Sequence, residues 1–380
     1  MAGKKGQLMT ELPSKFEEFL SNIRPTDEQI SDYVNGHEQL RERLSNDSDL
    51  SDIHVSDFLQ GSYARRTAVK PIGDEKSDVD IVFVTNLPKS EYTASDAMEL
   101  CEPFLNRYYP GQWEPNQRSY KIELNKVEMD LVLTAAPSEA VMNELSAPDS
   151  IGKANIADIA DQQDMGIVAK SIDNTFEGAE KDWQDEPLGI PDRELNSWDQ
   201  THPLATLDWT QNKNDRTNGH YINVVKALKW WRRTQVDFPE RPKSYPLERL
   251  IGECCPDYIS SVAEGVVRTF DVFIEKYESN AVHEDTPVLG QHGIPENNVL
   301  ARLEGRDFAA FYDRVTEDSE IARRAYEEED KEQSAQYWRE VFGEEFPLIG
   351  GSNDDDTDDE STATFTPPNN SANVSSQRFG

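Results

Sequence analysis

A run of twenty residues constrains this chain more than any other part of the sequence. It begins with Gly61-Ser62 and ends with two aspartates, Asp78 and Asp80, directly before an apolar segment typical of a buried strand. Side chains alternate between the two faces of a strand, so both carboxylates project from the same face. Paired carboxylates without a basic partner suit Mg²⁺, and a glycine-serine turn offers the amide and hydroxyl groups that bind phosphate. The run predicts metal-dependent phosphoryl or nucleotidyl transfer.

A third carboxylate, Asp130, favours a catalytic site over the alternative of a solvated strand edge. Segments 121–124 and 127–133 are typical of two short strands joined by a turn at Asn125. In the second strand the alternate residues from Val127 onward are apolar and share one face, which leaves Asp130 on the other. Burying a charge among apolar residues is costly unless the charge is paired or binds metal.

Three carboxylates on neighbouring strands predict a site for two Mg²⁺ ions, with Mn²⁺ as an alternative ion. One ion would activate the attacking hydroxyl, and the other would neutralise the triphosphate and the leaving pyrophosphate.

The formal net charge of −35 disfavours long nucleic acid as the main ligand, because a protein that binds DNA or RNA needs a basic surface. Basic residues do cluster at Arg65, Arg66 and Lys70 and again within 226–233. Two interpretations of Arg65 and Arg66 stay open: both are solvated, or both line the entrance for a phosphate group. We attribute the acidity to solubility or to a high-salt, halophilic cytoplasm.

The sequence predicts a cytoplasmic protein without membrane contact. No apolar stretch approaches the length of a membrane span, and the first residues lack an apolar signal core. The three cysteines, Cys101, Cys254 and Cys255, have no metal-ligand spacing, so we expect reduced thiols and no structural zinc.

The order of the predicted elements indicates an α+β fold with two lobes. Helical periodicity runs over 9–47 with a break at Pro25, a strand is predicted over 52–60 and a helix over 91–107, and 137–215 carries a weak signal. Five later segments predict further helices: 218–234, 244–255, 258–279, 306–328 and 331–342.

We predict four regions along the chain. N-terminal helices that pack on the lobes occupy 1–50, and the catalytic lobe occupies 51–215. A helical nucleotide-binding lobe follows at 216–349. The acidic and polar composition of 350–380 predicts a disordered tail, because such a segment cannot bury a core.

The Gly-Ser, Asp-x-Asp and later Asp pattern resembles the polymerase-beta-like nucleotidyltransferase superfamily. The second half narrows the resemblance to the cGAS/DncV-like nucleotidyltransferases, or CD-NTases, over roughly 10–345. The segments that carry it are 224–231, 243–248, 297–303 and 337–343. The resemblance implies a bilobal fold, with an N-terminal mixed sheet and helices followed by a C-terminal helical lobe.

The resemblance also implies an activity. CD-NTases make a cyclic di- or trinucleotide second messenger from ATP, sometimes with a second NTP, releasing pyrophosphate in anti-phage (CBASS) signalling. One alternative is a template-independent RNA or tRNA nucleotidyltransferase or a linear oligoadenylate synthetase, which the acidic balance disfavours. Another is a catalytically silent scaffold, which the intact Ser62, Asp78, Asp80 and Asp130 disfavour.

The resemblance assigns roles to the residues of the first run and to the third carboxylate. Asp78 and Asp80 would bind both metal ions, and Asp130 would complete the site and help to activate the attacking hydroxyl. Gly61 and Ser62 would hold the triphosphate.

Three residues of the helical lobe are also assigned by the resemblance. Lys229 would contact the donor triphosphate, Ser244 a phosphate, and Tyr245 would stack on a base, an interaction of about 1–3 kcal/mol. Each has an ordinary alternative: a surface lysine, a helix N-cap and a core tyrosine. The pair Trp230-Trp231 is better interpreted as core between the lobes than as a base platform.

Two features bear on regulation. The zinc-binding insertion of the metazoan DNA sensors is absent from the sequence, so activation by double-stranded DNA is not expected. Separately, segment 292–295 departs from the family pattern. Some relatives are conjugated through a C-terminal glycine by a partner resembling ubiquitin E1 and E2 enzymes. A tail that ends in Gly380 would suit such a partner or another CBASS regulator; the alternative is that Gly380 has no such role.

Overall fold

A computed structural model describes residues 9–73, 75–136, 186–236 and 238–350. Three expectations lie outside these residues: most of the weakly patterned segment 137–215, the disordered tail and the conjugation of Gly380.

The described residues form an α+β structure, as the sequence predicts. The strands are β1 (His54–Gln60), β2 (Ser77–Thr85), β3 (Trp113–Pro115), β4 (Tyr120–Glu123), β5 (Val127–Ala135), β6 (Leu188–Asp192), β7 (Ser197–Thr201), β8 (Gly290–Gln291) and β9 (Ile294–Asn298). The helices are α1 (Pro13–Asn22), α2 (Asp27–Asn46), α3 (Gly61–Ala64), α4 (Ala94–Glu99), α5 (Glu102–Tyr108), α6 (Pro203–Arg216), α7 (Tyr221–Thr234), α8 (Ser244–Cys254), α9 (Val262–Val282), α10 (Gly305–Glu327) and α11 (Lys331–Phe342).

A mixed sheet forms the first part of the structure. Its central order is β1-β2-β5-β4-β3, in which β2 and β5 run parallel while β1 and β4 are antiparallel to their neighbours. The apolar run of β2 is buried on both faces, as expected for a central strand. Strand β6 pairs with β5 at Ala135 and Gly189, and β7 pairs with β6. This order places the ends of β1, β2 and β5 side by side.

Helices α7 to α11 form a second core, which also takes in the first helix of the chain. Phe19 of α1 stacks on Phe342 of α11 with ring centroids 4.6 Å apart, and Phe16 meets Trp338 edge to face at 5.0 Å. Helix α2 instead buries its apolar face against the sheet. The two N-terminal helices therefore belong to different cores.

The structure corrects two expectations about the first half. The helix predicted over 91–107 is divided into α4 and α5, because Pro103 has no N–H to donate and begins a new helix at its first turn. The sequence missed α6 because the stripe that α6 buries is polar, with Thr206, Thr210 and Lys213, so no apolar periodicity marks it.

Candidate active site

Three carboxylates meet where β2 and β5 run side by side. The parallel register pairs Asp80 with Asp130, and Asp78 lies two residues earlier on the same face of β2. Asp130 accepts hydrogen bonds from Ser119 Oγ at 3.0 Å and from Asn116 Nδ2 at 3.4 Å. The structure thus brings together the three aspartates that the sequence singled out.

The electrostatic environment of these aspartates is unfavourable to three negative charges. Burial and then repulsion by Asp80 and Asp130 raise the pKa of Asp78. Burial and repulsion by Asp130 likewise raise the pKa of Asp80, although Arg65 opposes the shift. Burial raises the pKa of Asp130 against its hydrogen bonds from Ser119 and Asn116. Water still reaches Asp78 from one side, so solvent screens its interactions in part.

The donor set fits a divalent cation chemically, because it consists of carboxylate oxygens that repel each other. Among the described residues, however, no group of three His, Cys, Asp or Glu side chains is close enough to hold a metal ion as it stands. Binding would therefore require the three carboxylates to draw together around the ion.

The raised pKa values predict an unusual stability effect. With divalent ions removed by EDTA, we expect Asp78→Asn to raise the unfolding temperature at pH 8 by roughly 1–3 °C. Burial and the neighbouring aspartates raise the pKa of Asp78 from 3.8 to about 7, so stability falls as the pH rises through that window. The effect is reduced by solvent screening, because this side chain is exposed. The gain should shrink at pH 5, where the native carboxyl is mostly protonated. Scanning calorimetry measures it, and a gain that grows toward pH 5 would contradict the expected sign.

A matched control for that experiment is Asp313→Asn, which removes an exposed aspartate of α10. We expect no comparable gain from this control at either pH, because surface substitutions usually change stability by less than about 0.5 kcal/mol.

The glycine-serine turn lies directly against the carboxylates. Gly61 has φ +75°, and a Cβ atom built there would lie 1.8 Å from Oδ2 of Asp80. Only glycine allows this approach together with this backbone conformation. Ser62 follows in α3, and its carbonyl accepts a hydrogen bond from the Thr67 amide at 2.8 Å, which closes the turn.

Lys229 lies in a buried ion cluster that the sequence did not reveal. Its Nζ donates to Glu248 Oε1 at 2.9 Å, and Arg65 Nε donates to Glu248 Oε2 at 2.8 Å. Burial alone would raise the pKa of Glu248, but the positive charges of Arg65 and Lys229 outweigh burial and lower that pKa to about 2. The alternative of Lys229 as an ordinary surface lysine is wrong, because only 12% of its side chain is exposed.

Ser244 and Tyr245 begin helix α8. Ser244 is exposed and has φ +53°, a conformation that costs a non-glycine residue about 1–2 kcal/mol. The structure places Lys243, not Ser244, at the N-cap and shows no side-chain capping bond there, so the N-cap alternative is wrong. Such strain is found most often at functional sites.

Tyr245 is half-buried and contacts the segment that departs from the family pattern. Its hydroxyl accepts a hydrogen bond from the backbone N–H of His292 at 3.2 Å and lies 3.1 Å from Nδ1 of the same residue. His292 in turn stacks on Trp209 with ring centroids 4.0 Å apart. The Arg65 guanidinium lies 5.3 Å from the centre of the Tyr245 ring. Tyr245 is therefore tied to the site rather than enclosed in the helical core.

Two tryptophans of α7 have a structural role. Trp230 donates to the carbonyl of Phe342 at 3.1 Å, and Trp231 donates to Asp318 at 2.6 Å. Both are buried in the helical core, so the prediction of core packing is confirmed, although they lie within one core rather than between the lobes.

Sequence reasoning missed Glu248, Ser119 and Asn116. Glu248 is one turn beyond Ser244 in α8, and no local pattern marks a glutamate that is buried by partners from distant segments. Ser119 and Asn116 precede β4 in a polar stretch without periodicity, and only the pairing of β4 with β5 brings them to Asp130.

Comparison with known proteins gives consistent results. A family model described as a Second Messenger Oligonucleotide or Dinucleotide Synthetase domain matches residues 9–149. The chain is 44% identical over 356 residues to a cyclic AMP-AMP-GMP synthase of Enterobacter hormaechei subsp. hoffmannii, covering 90% of this chain and 93% of that protein. It is 42% identical, with the same coverage, to a probable cyclic AMP-AMP-GMP nucleotide synthase of Salmonella paratyphi B.

A solved structure shares the fold. The CD-NTase CdnG of Bradyrhizobium diazoefficiens, solved in complex with GTP, superposes with a TM-score of 0.61 at 14% identity, covering 87% of this chain and 94% of that one. In the part of the chain that the structure describes, no helix combines the length and apolarity needed to cross a membrane.

Proposed function

The chain belongs to the CD-NTase family of cGAS/DncV-like nucleotidyltransferases, and from that premise we propose that it joins two molecules of ATP and one of GTP into a cyclic trinucleotide. It is a nucleotidyltransferase of the cyclic oligonucleotide synthase class. The observation that carries the choice of product is the 44% identity to a cyclic AMP-AMP-GMP synthase over 93% of that protein. We further propose that the product is a second messenger in anti-phage defence.

The same bond is formed in each step of the proposed reaction. A ribose hydroxyl oxygen attacks the α-phosphorus of a nucleoside triphosphate, the bond between the α-phosphorus and its bridging oxygen breaks, and pyrophosphate leaves. The hydroxyl proton passes to a base or to water. Three such steps, the last within one linear intermediate, close the ring and release three pyrophosphates.

We assign the carboxylate cluster to the metal-dependent part of this chemistry. Asp78 and Asp80 would hold Mg²⁺, or Mn²⁺ in its place, and Asp130 would complete the ligand set. The bound ions would supply Lewis acidity toward the attacking hydroxyl and charge neutralisation at the triphosphate. The mutual repulsion of the three aspartates supports the assignment, because a cation relieves it.

The residues around the cluster would bind the donor nucleotide. Gly61 and Ser62 present the turn on which the triphosphate would rest, beside Asp80. Lys229 would contribute positive charge, and Ser244 would add a hydroxyl at the exposed start of α8. Tyr245 offers a half-buried aromatic face on which a base would stack.

Regulation by a partner is part of the proposal. An E1/E2-like enzyme that conjugates Gly380, or another CBASS regulator, would control synthesis. Deletion of Gly380 should then abolish phage protection in the native operon, and unchanged protection would reject conjugation through this residue.

Product analysis tests the proposed function. The purified full chain is incubated with ATP, GTP and Mg²⁺, and one nucleotide is radiolabelled at the α-phosphate. Separate portions of the products are treated with phosphatase alone and with phosphatase followed by nuclease P1. The masses of the products are measured by mass spectrometry. We expect a phosphatase-resistant product with two adenines and one guanine that is lost when GTP is omitted. A ladder of phosphatase-sensitive linear products would reject cyclisation and support the template-independent polymerase alternative.

A further inference from the structure

The buried ion cluster beside the carboxylates joins the two parts of the molecule. Arg65 follows the Gly61-Ser62 turn of the sheet part, whereas Lys229 and Glu248 belong to helices α7 and α8 of the helical part. The exposed fractions of the three side chains are 11%, 12% and 5%, in that order. One carboxylate therefore holds two cations from opposite sides of the site, largely out of contact with water.

The cluster of Arg65, Lys229 and Glu248 by itself carries a net positive charge. Each oxygen of Glu248 accepts one hydrogen bond, from Arg65 Nε and from Lys229 Nζ. Two cations and one carboxylate leave a net charge of +1, which Asp80 offsets electrostatically. A metal ion held by Asp80 would remove that offset, and a buried excess charge is costly unless an anion approaches it. The bond through Nε leaves the two terminal nitrogens of Arg65 to interact elsewhere, and a guanidinium fork matches phosphate oxygens well.

A second cluster of the same composition shows why burial matters. Asp257 accepts hydrogen bonds from Lys213 at 2.6 Å and from Arg216 at 3.0 Å. There the lysine side chain is only 8% exposed, but the arginine is 43% exposed and the aspartate 33% exposed, so water solvates part of the excess charge. Around Glu248 the three side chains are too deeply buried for water to solvate the excess charge in the same way. Asp80 interacts electrostatically with both Arg65 and Lys229. The excess positive charge around Glu248 therefore lies next to the carboxylate cluster.

We propose that Arg65 is a second phosphate-binding cation for the donor nucleotide, beside Lys229, and that Glu248 is a positioning residue that holds both cations toward the Gly61-Ser62 turn. The inference rests on the proposed function only in that the ligand is a nucleoside triphosphate. Glu248 itself, being negative, would act through the two cations and not on the phosphates.

Binding measurements with a non-hydrolysable analogue test the inference without requiring product. Calorimetry with Mg²⁺ gives the dissociation constants of α,β-methylene-ATP and of adenosine for wild type, Arg65→Gln, Arg65→Lys and Glu248→Gln. We expect Arg65→Gln and Glu248→Gln to weaken analogue binding by about tenfold or more, as expected for a lost charge-assisted hydrogen bond. Adenosine binding should change less than about twofold, because adenosine has no phosphate. Arg65→Lys keeps the charge and should recover part of the loss.

The matched control is Asp257→Asn, which removes the carboxylate from the solvated cluster. It should leave both dissociation constants within about twofold of wild type. The double variant Arg65→Gln/Glu248→Gln should lose less than the two single losses combined, because Glu248 acts partly through Arg65.

Two results would overturn the inference. One is analogue binding by folded Arg65→Gln at the wild-type level, and the other is an equal loss of adenosine binding in the variants. Arg65→Gln leaves Glu248 paired with Lys229, so it decides the question even where Glu248→Gln does not fold. If the wild-type protein binds the analogue but makes linear products, the proposed function is rejected. The binding data for the variants still decide this inference in that case.

Discussion

We expect Asp80→Asn to lower kcat for nucleotidyl transfer by about a thousandfold or more, in a protein that remains folded. Asp80 is the central member of the carboxylate cluster: it is in register with Asp130 and lies against Gly61. Metal ions that it would hold contribute several kcal/mol to transition-state stabilisation, and each 1.4 kcal/mol or so is a factor of about ten in rate. Initial rates of pyrophosphate release measure the loss.

The unfolding temperature of Asp80→Asn shows whether this variant has lost catalysis alone or has also lost its fold. Burial and repulsion raise the pKa of Asp80, so the neutral amide relieves an unfavourable interaction, and metal-free Asp80→Asn should unfold no lower than wild type at pH 8. Activity above a few per cent of wild type in Asp80→Asn would contradict the assignment of this residue to the metal site.

We expect Gly61→Ala to produce a second large loss of activity, for a steric reason. The added methyl group would lie 1.8 Å from Asp80 Oδ2, so the aspartate side chain or the turn must move. The φ of +75° adds a backbone penalty of about 1–2 kcal/mol. A displacement of about 1 Å at a reacting centre costs roughly a hundredfold in rate. We therefore expect kcat to fall by about that factor or more, together with a lower unfolding temperature.

Gly73 provides a control with the same backbone geometry and no collision. It has φ +63°, and a Cβ atom there would have no neighbour within 4 Å among the residues that the structure describes. Gly73→Ala should lose a similar amount of backbone stability while keeping its rate within about twofold. Equal rates for the two alanine variants would show that the contact between Gly61 and Asp80 does not matter for catalysis.

The carboxylate cluster could be predicted because its signals are local. Period-two alternation is visible in the sequence, so Asp78 and Asp80 could be placed on one face and Asp130 opposite the apolar face of its own strand. The parallel pairing that makes Asp80 and Asp130 neighbours joins segments fifty residues apart along the chain. Placing the two strands side by side was an assumption, since periodicity does not encode strand order, and the resemblance to a known family supported it.

The ion cluster could not be predicted for the same reason. Arg65 and Glu248 are separated by 183 positions, and no local pattern in either segment shows that the two side chains meet. Similarly, the contact of Tyr245 with His292 depends on a two-stranded ribbon, β8 and β9, that is too short to leave a periodic signal. Local pattern identified the groups that perform the chemistry, while long-range packing decides which charges surround them.

The packing of α1 has a consequence for biosynthesis. Phe16 and Phe19 are buried against Trp338 and Phe342, so a helix that is synthesised early is packed only when a much later helix has been made. Domains that fold during synthesis normally do so from the N-terminus. Here the helical core cannot close until about residue 342 has emerged, and Lys229 and Glu248 depend on that core. A nascent chain therefore cannot complete its nucleotide site before residue 342 has emerged, and chains truncated before that residue should make no messenger.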